Sequence, residues 1–230
     1  MMDIQCERQL RGQILEHLAE ICKAFGHAHR LELLTLLAQG ERSVDELARE
    51  TCLPVASVSQ HLQVLRQAGL VDVRRAGVRA IYRLENEDIY GVLRAVRDLG
   101  VKRLPECDAL VQQILAERPP GTEISFDALL SALEEDHILL LDVRPNSEFS
   151  YGHIRGAISM PLDELEQRMA DIPSELPIVV YCRGPYSMLA DRAVAWLKQH
   201  GYPAQRLQQG FPDWQASGLP VEVAENKLRV

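Results

Sequence analysis

Two sets of side chains in this chain of 230 residues have the types and spacing to do chemistry. The first centres on Cys182, in the stretch VVYCRGPYSMLA at residues 179–190. An apolar run ends there, the chain turns through Gly184-Pro185, and helical spacing resumes. A cysteine at a strand-to-helix turn faces the unpaired N–H groups of the helix's first turn, which favour a thiolate. Two readings of Cys182 stand on the local sequence: a nucleophile, or a small buried apolar residue at a strand end. The second set is polar and basic. Ser57, Ser59, Gln60 and His61 are short or forked hydrogen-bonding side chains able to reach base edges and phosphates. From Pro54 to Leu84 the only acid is Asp72, against Arg66, Arg74, Arg75, Arg79 and Arg83. That local positive charge is a footprint for phosphates; a solvated helix face followed by an ordinary hairpin is the alternative.

The elements that must position these residues can be read from periodicity. Leu10, Ile14, Leu18, Ile21 and Phe25, then Leu31, Leu34, Leu37 and Ala38, keep helical spacing, with breaks at Gly26 and Gly40. RSVDELARE opens with Ser43 and Glu46 in capping-box register. The next helix, VASVSQHLQVLRQAG, places Val58, Leu62 and Leu65 on one face and ends at Gly69. The period then changes to two around Ala76-Gly77, a hairpin signal. A long helix follows from about Glu87 to Glu117, interrupted near Pro105. AERPPGTEI, with Pro119, Pro120 and Gly121, cannot continue a helix and marks a linker. Beyond it HILLLDV, GAISMPL, PIVVYC and AQRLQQG read as strands, and LDELEQRMADI and SMLADRAVAWLKQHG as helices. Apolar strands separated by helices imply a parallel α/β sheet.

Composition bounds the function. The hydrophobic fraction of 47% suffices for two cores, and no apolar run approaches the ~20 residues of a membrane span. MMDIQCERQL lacks the build of a signal peptide, so a cytoplasmic protein without a membrane partner is expected. The five cysteines (Cys6, Cys22, Cys52, Cys107, Cys182) are odd in number and never spaced as CxxC, which argues against a disulfide scaffold or a zinc knuckle. The net charge of −8 is unevenly placed: residues 1–100 carry 13 basic against 14 acidic side chains, the remainder 12 against 19. Acidity therefore does not exclude DNA binding by the first half.

Helix, turn, helix and basic hairpin is the order of a winged helix-turn-helix, whose recognition helix enters the major groove. ELARETCLPVASVSQHLQVLRQAGLVDVRRAGVRAIYRL resembles the ArsR/SmtB winged-helix repressors, through its S-x-S-x-H-L-x-x-L-x-x-A-G-L-V phrase and its R-R-x-G-x-x-x-x-Y wing. The resemblance covers about residues 10–105. It implies a homodimer built on the first and last helices, binding pseudo-palindromic double-stranded operator DNA and released by an inducer. The family's cysteine-pair metal motif is absent from SVDELARE, and EDIYGVLRAVRDLGVKRLPEC has no histidine; no metal ligand is assigned. His27 and His29 sit at a helix junction, where N-cap or exposed roles are expected. Some relatives sense reactive sulfur with two thiols. Cys52 and Cys107 are the pair to consider for such redox chemistry, against the alternative of two unrelated structural thiols.

LLLDVRPNSEFSYGHIRGAISMPLDEL, VVYCRGPYSMLADRAVAWLKQHGY and LQQGFPDWQASGLPV resemble, in order, the three signatures of the rhodanese domain, over about residues 122–226. Rhodaneses take sulfane sulfur onto a cysteine as a persulfide and pass it on, which needs a thiolate in a cradle of N–H groups. The loop Cys182, Arg183, Gly184, Pro185, Tyr186, Ser187 would supply the cradle. Arg183 would add positive charge near the sulfur, and Ser187 a hydrogen bond. Asp142 and Arg144 match the family's D-x-R pair near the loop, with a structural salt bridge as the alternative. Met188 occupies the place where phosphatases of this fold need arginine. Many related loops end in a second cysteine; Ser187 stands there, so a persulfide on Cys182 has no resolving neighbour. Gln209 stands where the third signature usually has glycine.

Two domains are therefore expected: a mainly α winged helix-turn-helix for DNA binding and dimerisation over 1–118, a linker over 119–122, and an α/β rhodanese fold with a parallel sheet over 123–230. The reading is a repressor that carries sulfane sulfur on Cys182, from a donor such as thiosulfate or a persulfide, with no cofactor. Two alternatives accompany it: a sulfurtransferase whose winged helix only dimerises, and an arsenic or metal sensor using Cys22, Cys52 or Cys107.

Overall fold

The computed structural model describes residues 4–118, 121–135, 137–168, 172–173 and 176–224. Pro119 and Pro120, on which the linker expectation rests, lie outside these residues. By contact the chain divides into two compact units, Met1–Ile89 and Tyr90–Val230.

The first unit runs α1 (Ile4–Phe25), α2 (Ala28–Leu37), β1 (Arg42–Ser43), α3 (Val44–Thr51), α4 (Val55–Gln67), β2 (Val71–Ala76) and β3 (Arg79–Leu84). Leu33, Leu34 and Leu37 of α2, Leu47 of α3 and Val58, Leu62 and Leu65 of α4 form its buried centre, as the helical spacing requires. Three helix ends have identifiable local causes. His27 caps α2, its Nδ1 accepting from the His29 N–H at 3.2 Å. Ser43 and Glu46 form the expected capping box on α3. Gly69, at φ +69°, closes α4 while the Leu70 N–H reaches the Leu65 carbonyl at 2.9 Å, a Schellman ending. Arg42 is buried and ties the turn before α3 together, donating to Glu50 at 2.9 Å and to the Leu36 carbonyl at 2.6 Å. The three strands form an antiparallel sheet in the order β1-β3-β2. Ala76 pairs with Arg79, leaving Gly77 and Val78 as a two-residue turn whose first position, at φ +62°, suits glycine.

The second unit takes up α5 (Asp88–Arg103) from its third residue. It continues with α6 (Pro105–Ala116), β4 (Glu123–Ile124), α7 (Phe126–Glu134), β5 (Leu139–Asp142), α8 (Asn146–Tyr151), β6 (His153–Ile154), β7 (Ile158–Ser159), β8 (Ile178–Tyr181), α9 (Leu189–Gln199), β9 (Ala204–Leu207), α10 (Phe211–Ala216) and β10 (Val221–Glu222). Pro105 starts α6 at a position where its missing N–H costs nothing, so the long helical pattern breaks there. Five strands form an all-parallel sheet in the order β4-β9-β8-β5-β7. Both faces are covered. Leu139, Leu141, Ile178, Val180 and Cys182 point into one apolar cluster, and Leu140, Val179 and Tyr181 into the other.

Two expectations need correction. Residues 162–168, within the expected helix LDELEQRMADI, form successive turns; Gln167 N–H bonds the Glu164 carbonyl three residues back, and no continuous α ladder develops. Met169, Ala170 and Asp171, which end that segment, lie outside the described residues. GAISMPL contributes only Ile158–Ser159 as strand. Among the described residues no helix is long and apolar enough to cross a membrane.

Candidate functional site

Cys182 follows directly on β8, at the carboxyl end of an inner strand of the parallel sheet, where open α/β sheets place their sites. Its side chain is buried, and its Sγ lies 3.8 Å from the carbonyl oxygens of both Gly184 and Ser187, which can accept from the thiol. The loop curls over the sulfur: the Ser187 N–H returns to the Gly184 carbonyl at 3.2 Å, and Ser187 Oγ accepts from the Leu189 N–H at the start of α9. The N–H groups of Gly184, Tyr186 and Met188 donate to no acceptor among the described residues.

Arg183 does not stand alone beside the sulfur. Its guanidinium is held by Glu148 of α8 at 2.6 and 3.2 Å, and that carboxylate is itself buried. Asp142 and Arg144 form a closed pair with contacts of 2.6–3.1 Å, both side chains without solvent exposure. Arg144 also donates to the Gly152 carbonyl at 2.7 Å and lies 4.2 Å from the centre of the Phe211 ring. Burial alone would lower the Arg144 pKa, but the Asp142 carboxylate holds it above the usual value. Tyr181 beside them is pushed well up, first by burial and then by the Asp142 charge. The pair thus clamps the carboxyl ends of β5 and β8 from within the core.

Several supports of the loop went unrecognised in the sequence. The Phe211 N–H at the start of α10 donates to the Cys182 carbonyl at 3.1 Å. Gly210 lies so close that a Cβ there would stand 2.5 Å from Arg183 C and Gly184 Cα. Arg118 donates to the Pro185 carbonyl and pairs with Glu123 at 2.9 Å. Half-buried Tyr186 has its phenol pushed up, chiefly by burial; Arg97 opposes this, and the charges of Asp98, Cys107 and Asp213 add to it. The signal that could have found Gly210 was the third signature itself, where a glycine survives beside Gln209.

In the first unit α4 exposes Ser59 and Gln60, with Gln63, unremarked in the sequence, on the same helix. Ser57 and His61 are half-buried. The His61 ring lies 4.5 Å from that of His27 and 5.5 Å from that of His29, centre to centre. Burial, then the neighbouring His27, His29 and Arg30, lower its pKa. The wing carries exposed Arg74, Arg75 and Arg79. Arg74 is engaged by Glu41 at 2.5 Å and Arg83 by Asp72 at 3.0 Å. Cys52 is exposed at the end of α3, with φ +56°, and half-buried Cys107 lies in the first turn of α6, so each unit holds one of the two thiols. Among the described residues no group of three or more His, Cys, Asp or Glu side chains is placed to hold a metal ion.

A winged helix-turn-helix with a basic hairpin, followed by a parallel α/β unit with a cysteine loop at its strand ends, defines a regulator of the winged-helix class joined to a rhodanese-type domain. Comparison with known proteins agrees. Residues 27–73 match the bacterial regulatory protein, arsR family, and residues 125–217 the rhodanese-like domain. The chain is 36% identical over 212 residues to the HTH-type transcriptional regulator Rv0324 of Mycobacterium tuberculosis, covering 92% of this chain and 93% of that protein. It belongs to that family of arsR-type regulators bearing a rhodanese-like domain. The chain is also 32% identical over 105 residues to a sulfurtransferase of Allochromatium vinosum, covering 45% of this chain and 96% of that one. A solved homodimeric winged helix-turn-helix DNA-binding domain from Mycobacterium bovis is 35% identical, covers 42% of this chain and 89% of its own, and superposes with a TM-score of 0.39.

Proposed function

We propose that this protein is a cytoplasmic, homodimeric repressor that carries sulfane sulfur as a persulfide on Cys182 and that this load changes its affinity for operator DNA. The observation that carries the reading is the loop at 182–187: one buried thiol at the carboxyl end of a parallel strand, enclosed by the turn that leads into α9, in a chain that also holds a winged helix. With thiosulfate as donor the Cys182 thiolate attacks the sulfane sulfur, the S–S bond of thiosulfate breaks, and sulfite leaves with the electron pair. An acceptor thiolate then attacks the outer sulfur, forms its own persulfide and returns Cys182 as thiolate. No oxidant is needed.

Ser57, Ser59, Gln60 and His61 on α4 are assigned to bases and phosphates, and Arg74, Arg75 and Arg79 to the backbone beside the wing. The boundaries proposed remain 1–118 for DNA binding and dimerisation and 123–230 for sulfur handling. Dimerisation is supported by apolar side chains left exposed along α1 (Leu10, Ile14, Leu18) and α5 (Val92, Val96, Leu99). The test pairs intact-mass measurement with operator binding on the same samples, before and after thiosulfate or polysulfide, for the parent and Cys182→Ser. The expected result is a gain of one sulfur per chain and altered DNA affinity in the parent alone. An equal DNA response in both proteins would overturn the coupling.

A further inference from the structure

We propose that α5 completes the sulfur site: Tyr90 and Arg97, acting through Asp213, are positioning residues that hold the start of α10 against the Cys182 loop. The inference rests on the sulfur-handling reading above and extends the site beyond residues 125–217, where the rhodanese-like match lies.

Asp213 has no solvent exposure, and burying a carboxylate is costly unless it is paired and hydrogen-bonded. Its Oδ1 accepts from Arg97 Nη2 at 2.9 Å and its Oδ2 from the Tyr90 hydroxyl at 3.1 Å, both donors belonging to α5. Oδ2 also lies 3.4 Å from the Gly210 N–H, capping α10. Arg94, one turn on from Tyr90, donates to Ser217 Oγ at 3.0 Å and reaches the Asp213 carbonyl at 3.4 Å, so α5 grips both ends of the short helix.

What α10 carries at its start is the support of the nucleophile. The Phe211 N–H bonds the carbonyl of Cys182 itself, and Gly210 abuts the backbone of Arg183 and Gly184 with no room for a side chain. Contacts this tight transmit displacements of a few tenths of an ångström, because packed interiors deform little. The route from Arg97 therefore runs through the ion pair and the cap to the start of α10, which meets the loop by two parallel links, the Gly210 backbone contact and the Phe211 main-chain hydrogen bond to Cys182. Linkage makes it reciprocal, so a sulfur added under the loop acts back on the Arg97–Asp213 pair.

The experiment follows alkylation of Cys182 by iodoacetamide against pH in the full-length protein, read by peptide mass spectrometry, for the parent, Arg97→Gln, Arg97→Lys and Tyr90→Phe. Arg97→Gln leaves the buried carboxylate unbalanced. It is expected to slow the reaction several-fold and move its pH midpoint upward, with Arg97→Lys restoring much of both and Tyr90→Phe giving a smaller change of the same sign. A folded Arg97→Gln protein with the parent's rate and midpoint would overturn the inference. Should Arg97→Gln not fold, Tyr90→Phe, which removes one hydroxyl, decides by the same criterion. Intact mass of the parent after polysulfide is measured alongside. Absence of a persulfide there overturns the proposed function, while the alkylation profile still judges the role of α5.

Discussion

Arg183 is the one cationic side chain of the loop 182–187, and it lies against Glu148, so the loop presents less positive charge to a donor than its sequence suggests. Glu148→Gln keeps the shape and removes the countercharge. It is expected to raise the second-order rate of Cys182 loading by dianionic thiosulfate several-fold, with less change for a neutral alkyl trisulfide, measured by stopped-flow or quenched mass spectrometry. Asp142→Asn tests the neighbouring pair. It leaves Arg144 charged in the core without its partner, and loss of one member of a buried ion pair costs about 3–5 kcal/mol. Urea unfolding followed by Trp214 and Trp196 fluorescence should show that loss. The place of Cys182 at the end of a strand was legible in the sequence because an apolar run stops there; the orientation of Arg183 was not, since its partner lies 35 residues away.

At the scale of elements, local chemistry was the readable part. The capping box at Ser43, the glycine endings of α4 and the wing turn, and the break at Pro105 all depend on residues within a few positions of one another. LDELEQRMADI failed for the opposite reason: its helical period is genuine, but one face packed beside the sheet does not require a regular helix. The short elements α8, β6, α10 and β10 escaped notice because each depends on partners far along the chain, as β6 does on β10. Two predictions belong here. Arg75 and Arg79 on the wing project into solvent, and replacing both with Gln should weaken operator binding and reduce the log–log salt slope by about 2. His61 has a folded pKa below the ordinary 6.5, so the folded state takes up its proton less readily than the unfolded chain. Its neutral form leaves stability intact above 6.5, and stability falls as the pH drops through that value toward the folded pKa. Denaturant titrations at pH 7.5 and 5.5 should show this decline, and His61→Gln should flatten it.

For the whole molecule, apolar side chains on α1 and α5 remain exposed in a single chain, and a second copy is the simplest cover for them. Ile14→Glu with Leu99→Glu should convert a dimer to monomer in sedimentation equilibrium and lower operator affinity in step, while Cys182 loading in the monomer persists. The two family matches were legible as modules separated near residue 120. The division by contact at residue 89 was not, because it depends on Tyr90 and Arg97 meeting Asp213 more than 115 residues later.

That early division bears on how such a protein can be cut, shuffled or inherited in pieces. A rhodanese module excised at the Pro-Pro-Gly segment would keep Asp213 but leave its cation behind, and a winged-helix fragment ending at 118 would bare the side of α5 that Asp213 had occupied. Neither piece is a neutral subtraction. A break ahead of Tyr90 would instead keep the acid of α10 and the arginine of α5 together as one block.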